Sequence, residues 1–119
     1  MLRIETYENR EAFAPGQPVD GLAAWEFEEG QAPAWIEVRL FWRTQGKGDT
    51  DAVIVAAQRF DQPDPADAQL YSLTLPAGPF SYVGEKLEVR WALELVAHRV
   101  KRSERLDLTV SPTGNPVRG

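Results

Sequence analysis

Cysteine is absent and histidine occurs once, at His98. Without thiols the chain has no disulfide framework, no cysteine nucleophile and no thiolate metal centre, and any catalytic triad must use that single imidazole. His98 falls at the end of an expected strand among basic residues, and none of Ser72, Ser81, Ser103 or Ser111 sits in a nucleophile-elbow pattern. Glu94 shares its strand face, but four residues of extended chain hold the two about 13 Å apart. Two-carboxylate acid–base chemistry leaves no signature in residue order. Neither Asp49 with Asp51 nor Asp61, Asp64 and Asp67 has the spacing of a calcium loop. The expectation is therefore a protein that is not an enzyme and uses no cofactor or metal.

Long apolar runs are missing as well. The opening Met1-Leu2-Arg3-Ile4-Glu5 alternates apolar and charged residues where a secretion signal carries an unbroken apolar stretch, and no segment approaches the length of a transmembrane helix. A cytoplasmic location is expected, with peripheral contact at a membrane surface left open. An excess of positive charge is lacking too. Thirteen Lys and Arg against eighteen Asp and Glu give a net charge of −5, which argues against nucleic acid as a partner, since that affinity comes from neutralising phosphates. One local basic cluster, His98-Arg99-Val100-Lys101-Arg102 with Arg105, reads either as a solvated strand end and turn or as a site for an acidic peptide or anionic headgroup.

What the chain does have is period-two alternation, with no stretch that sustains a helical stripe. Val19, Gly21, Ala23, Trp25 and Phe27 share one face of a strand; Ile36, Val38, Leu40 and Trp42 share another, and Leu87, Val89, Trp91, Leu93 and Leu95 a third. Further strands are expected over residues 2–7, 52–60, 70–75 and 106–110. About seven strands separated by Pro and Gly turns predict an all-β, antiparallel two-sheet β-sandwich over residues 1–111, with a flexible tail over 112–119. Trp25, Trp42 and Trp91 fall on inward faces, whereas Trp35 is out of phase and expected outside. Arg90 and Glu88 are expected to pair across strands with Glu37, Arg39 and Glu94.

Two segments invite a partner. The loop Gln45-Gly46-Lys47-Gly48-Asp49-Thr50-Asp51 lacks the order of a phosphate-binding loop and reads as a strand connection or, at Lys47 and Asp49, as a recognition tip. Ala52-Val53-Ile54-Val55-Ala56-Ala57 is apolar on both faces. It fits a strand covered on both sides, or an edge strand that accepts another chain with Val53 and Val55 facing the partner.

Two turn motifs about sixty residues apart carry a family likeness: Phe13-Ala14-Pro15-Gly16-Gln17-Pro18-Val19-Asp20-Gly21, and Tyr71-Ser72-Leu73-Thr74-Leu75-Pro76 running to Pro79-Phe80-Ser81-Tyr82. Pro15 presets φ for a tight turn and Gly16 supplies the positive φ of type II. Their order and spacing, together with the alternating strand after Gly84, resemble the arrestin-like sandwich family. That resemblance implies an immunoglobulin-like fold and a role as adaptor or scaffold, binding a protein or a second copy of itself through a sheet edge or loop tip. Full arrestins pair two such sandwiches and this chain supplies one, so no clamping between domains is implied. The competing reading is a small-ligand or carbohydrate-binding sandwich, which requires at least two of Trp35, Phe41, Phe80 and Tyr82 exposed together on one surface.

Overall fold

A computed structural model describes residues 1–46, 50–98 and 102–119. Its strands are β1 (Leu2–Thr6), β2 (Ala12–Phe13), β3 (Pro18–Glu26), β4 (Trp35–Gly46), β5 (Ala52–Asp61), β6 (Ala66–Thr74), β7 (Tyr82–Val83), β8 (Leu87–Ala97), β9 (Arg102–Val110) and β10 (Val117–Arg118). A single 3-10 turn at Tyr7–Asn9 is the one helical element among the described residues. The long strands coincide with the alternating segments, and turns bearing Pro and Gly separate most of them.

The strands form two sheets, one of order β1-β3-β6 and a larger one in which β5, β4 and β8 lie side by side. The far edge of β8 is shared: β9 pairs with residues 91–97 and the short β7 with residues 88–89. Most pairings are antiparallel. The expectation of a purely antiparallel fold needs correction, since β2 pairs in parallel with β9 and β10 in parallel with β7. Pairing also continues beyond residue 111, because the main chain of Val117 and Gly119 bonds to Ser81 and Val83. Two-residue strands have no periodicity to read, so these additions are invisible in sequence.

Inward residues of both sheets build one core, with Ile4, Val19, Trp25, Tyr71 and Leu73 from the smaller sheet meeting Ile36, Val38, Leu40, Trp91, Leu93 and Leu95 from the larger. Trp25 and Trp91 are buried, and each indole N–H donates to a loop carbonyl, Asp64 for Trp25 and Pro79 for Trp91, both at 2.9 Å. Burying about 200 Å² of indole at about 25 cal/mol per Å² makes each worth on the order of 5 kcal/mol. Trp42 does not join them as expected. It keeps the inward phase, but it lies toward the end of β4 opposite Val53 and is only half-buried.

The two turn motifs meet in space. Gly16 has φ of 81° and Gln17 N–H returns to Ala14, the expected type II turn, while Gly16 N–H also donates to Pro76 and Leu75 N–H to Gln17. Further along, Ser81 is buried and joins β9 twice: its N–H donates to the Val110 carbonyl and its hydroxyl accepts from Val110 N–H.

Candidate interaction surface

β5 is bonded to β4 on one side, and among the described residues no strand pairs its other side. An edge strand presents a row of unpaired N–H and C=O groups, and proteins usually protect such rows with charge, proline or a bulge. Residues 52–58 carry no charge and no proline. A bulge is present, where the β4 register steps from Leu40 opposite Ala56 to Phe41 opposite Ile54 and leaves Val55 as the extra residue.

The bulge decides which side chains face out. Ala57 opposes Arg39 and Arg59 opposes Glu37 on the outer face, so uninterrupted alternation would carry Val55 and Val53 outward with them. The extra residue reverses the phase. Val55 packs half-buried against the core, and Val53 shares the inward phase of Trp42, although it remains 40% exposed near the strand start. The outward apolar residue is Ile54, 54% exposed. Of the two readings of this strand, the sheet order gives the edge strand, and its exposed outward apolar residue is Ile54 rather than Val53 or Val55.

Beside β5 lies the free edge of β6, the outer strand of the smaller sheet. Gln58 bridges the two: its amide nitrogen donates to the Leu70 carbonyl at 3.4 Å and its oxygen accepts from Ser72 N–H at 3.1 Å. One carboxamide thus stands in for a strand along part of β6, and this leaves β5 as the more open edge. A groove of about 670 Å³ runs from Gln58 across the outer face of the smaller sheet, past Leu22, Leu70 and Tyr7. Nothing in the sequence marks it, because its walls come from four strands and a turn.

Of the other residues singled out in sequence, Lys47, Asp49, Arg99 and Lys101 lie outside the described residues. His98 stacks on Trp35 at 4.3 Å between ring centroids, and the Arg59 guanidinium also lies over the Trp35 ring, 4.1 Å from its centroid. Arg39 approaches His98 Nε2 at 3.3 Å and pairs with Glu37. Arg105 lies over Phe41, which is buried, and reaches Glu94 at 3.5 Å. Arg102 lines a separate recess with Met1, Glu26 and Glu28. The described residues of the basic cluster, His98, Arg102 and Arg105, therefore have separate surroundings. The expected cross-strand ladder is also rearranged: Arg39 pairs with Glu37 and Arg90 with Glu88 along single strands, where residues two apart share a face. The Arg90 guanidinium holds the Glu88 carboxyl below its ordinary pKa by hydrogen bonding. Among Trp35, Phe41, Phe80 and Tyr82 only Phe80 is exposed, at 38%, so these aromatics form no shared platform. No group of three metal-ligating side chains occurs among the described residues.

No protein-family model matches the sequence, and no curated protein matches it. Among solved structures, the chain is similar to Spo0M, a sporulation control protein from Bacillus subtilis, with 20% identity and a TM-score of 0.60 over 92% of this chain and 49% of that one. It is also similar to a superoxide reductase (neelaredoxin) from Ignicoccus hospitalis, with 16% identity and a TM-score of 0.52 over 92% of this chain and 80% of that one. The chain thus spans about half the length of Spo0M. Likeness at such identities concerns the fold, and a control protein and a reductase share it, so function has to be argued from surfaces.

Proposed function

We propose that this chain is a non-catalytic interaction module built on an arrestin-like sandwich, and that it binds by adding an extended protein segment to the free edge of β5. The observation that carries this reading is that edge: a ten-residue strand, unpaired on one side among the described residues, with no charge from residue 52 to 58 and Ile54 exposed within that uncharged stretch. The order of the two turn motifs supports the arrestin-like part. A cytoplasmic setting is proposed as part of the same reading. The small-ligand alternative lacks the paired exposed aromatics it requires.

The energetics suit reversible binding. An added strand forms on the order of six main-chain hydrogen bonds worth about 1 kcal/mol each, against an association cost of at least about 4 kcal/mol. Affinity is then weak unless side chains such as Ile54 contribute, and it falls little with added salt because the edge is uncharged. The test is comparative capture from an extract of the native host with the parent chain, Ile54→Lys and Leu87→Lys, the last placing the same charge at an exposed site on β8. A protein held by the parent and by Leu87→Lys but lost with Ile54→Lys supports the reading. Equal retention by Ile54→Lys overturns it.

A further inference from the structure

We infer that the segment β5 is shaped to accept is β5 of a second copy of this chain, added antiparallel about a twofold axis between Val55 and Ala56. The inference rests on the strand-addition reading above and names its partner.

Residues opposed across two strands must lie on the same face of the sheet. On β5, Ala52, Ile54, Ala57 and Arg59 face outward with Arg43, Phe41, Arg39 and Glu37, whereas Val53, Ala56 and Gln58 face inward with Trp42, Leu40 and Val38. Outward positions are thus even-numbered before the bulge and odd-numbered after it. A regular strand keeps both halves in phase only by setting one residue against two at the bulge, as β4 does with Leu40, and that leaves Val55 unpaired. A second copy carries the same bulge and can match every residue one to one. With Val55 facing Ala56 of the second copy, Ile54 faces its Ala57, Val53 faces its Gln58 and Ala52 faces its Arg59, and every one of these pairs joins like face to like face.

This is the antiparallel register that keeps faces matched across the whole of residues 52–59. It also opposes no like charges, since Arg59 meets Ala52, whereas centring the pair on Arg59 would set two guanidiniums against each other. Ile54, more than half exposed in the single chain, gains Ala57 of the second copy as an outer-face neighbour. Each copy carries a net charge of −5, so the two repel at long range. Screening by salt weakens that repulsion. Association through β5 therefore strengthens modestly with ionic strength, the reverse of charge-driven binding.

The absence of cysteine gives a clean background for disulfide trapping. Ile54→Cys and Ala57→Cys are made singly and oxidised alone and as an equimolar mixture. In the inferred register the thiol introduced by Ile54→Cys in one copy lies directly opposite the thiol introduced by Ala57→Cys in the other, within the roughly 4.4–6.8 Å Cα separation that a disulfide tolerates. Two copies of either variant alone place their thiols three residues apart along the strand, about 10 Å before the interstrand distance is added. The expected result is a mixed disulfide well in excess of either homodisulfide, together with a concentration-dependent dimer in sedimentation that Ile54→Lys abolishes while melting near the parent temperature. Disulfides in statistical proportion, a dimer that survives Ile54→Lys, or a monomer up to millimolar concentration would each overturn the inference. Capture of a different protein that is lost with Ile54→Lys, alongside a monomeric chain, would overturn the second copy as partner and leave strand addition at β5 standing.

Discussion

Replacing Gly21 with alanine adds one methyl group to a strand, yet it should be among the most damaging changes available in the smaller sheet. Gly21 sits in β3 between Thr6 of β1 and Tyr71 of β6. The Tyr71 ring crosses it, so that the hydroxyl donates to the Glu5 carbonyl at 2.7 Å. A Cβ at position 21 overlaps the Glu5 carbonyl oxygen and the Tyr71 hydroxyl, and lies 2.7 Å from Tyr71 Cζ. The carbonyl belongs to a paired strand and the tyrosine is 3% exposed, so neither retreats without opening the sheet or the core. Overpacking costs about 1–3 kcal/mol and the lost hydrogen bond to a buried carbonyl about 1–3 more, while removing a glycine from a strand returns about 0.5–1 kcal/mol. The net loss is about 1–5.5 kcal/mol, a drop of roughly 4–25 °C in melting temperature for a domain of this size. Thermal unfolding followed by circular dichroism and tryptophan fluorescence reads it directly. Tyr71→Phe should cost only about 1–2 kcal/mol, the share of the hydroxyl. Adding it to Gly21→Ala should rescue little, because the overlap with Glu5 persists. A Gly21→Ala protein melting within two or three degrees of the parent would refute the packing argument, on roughly the same scale of conversion.

Trp91→Ala should cost about 3–5 kcal/mol and Trp42→Ala clearly less, because the second side chain is only half-buried; equal losses in chemical denaturation would contradict that ranking. Burial, followed by the charges of Asp20 and Glu5, holds the Tyr71 phenol above its ordinary pKa. Its folded pKa exceeds its unfolded one, so this contribution is intact below about pH 10 and is lost as pH rises beyond it. Alkaline unfolding should accordingly be shallower in Tyr71→Phe than in the parent, and identical pH profiles would remove the tyrosine from the explanation. Ser81→Ala should destabilise by about 1–2 kcal/mol and speed hydrogen exchange at Val110 N–H, which loses its acceptor; unchanged protection there would show another group taking over.

Residue order settles what is local. Alternation around Ile36, Val38 and Leu40, or Trp91, Leu93 and Leu95, identifies strands and their buried faces, because successive side chains of an extended chain must point to opposite sides. Pro15-Gly16 specifies a type II turn, since the ring fixes one dihedral and the missing Cβ permits the other. The uncharged run from residue 52 to 57 likewise marks a strand, without deciding between one covered on both sides and one at an edge. Which strand is left at an edge, where Val55 interrupts the register, and that Gln58 caps the neighbouring β6 are set by hydrogen bonds between segments distant in sequence. The outward phase of β5 shows the limit most clearly. Alternation alone points to Val53 and Val55, and one extra residue opposite the Leu40–Phe41 step gives that place to Ile54, because a bulge exists only relative to the strand it faces. Gly21 shows the same dependence: its need for a bare Cα comes from Tyr71, far along the chain, which only the paired sheet brings against it.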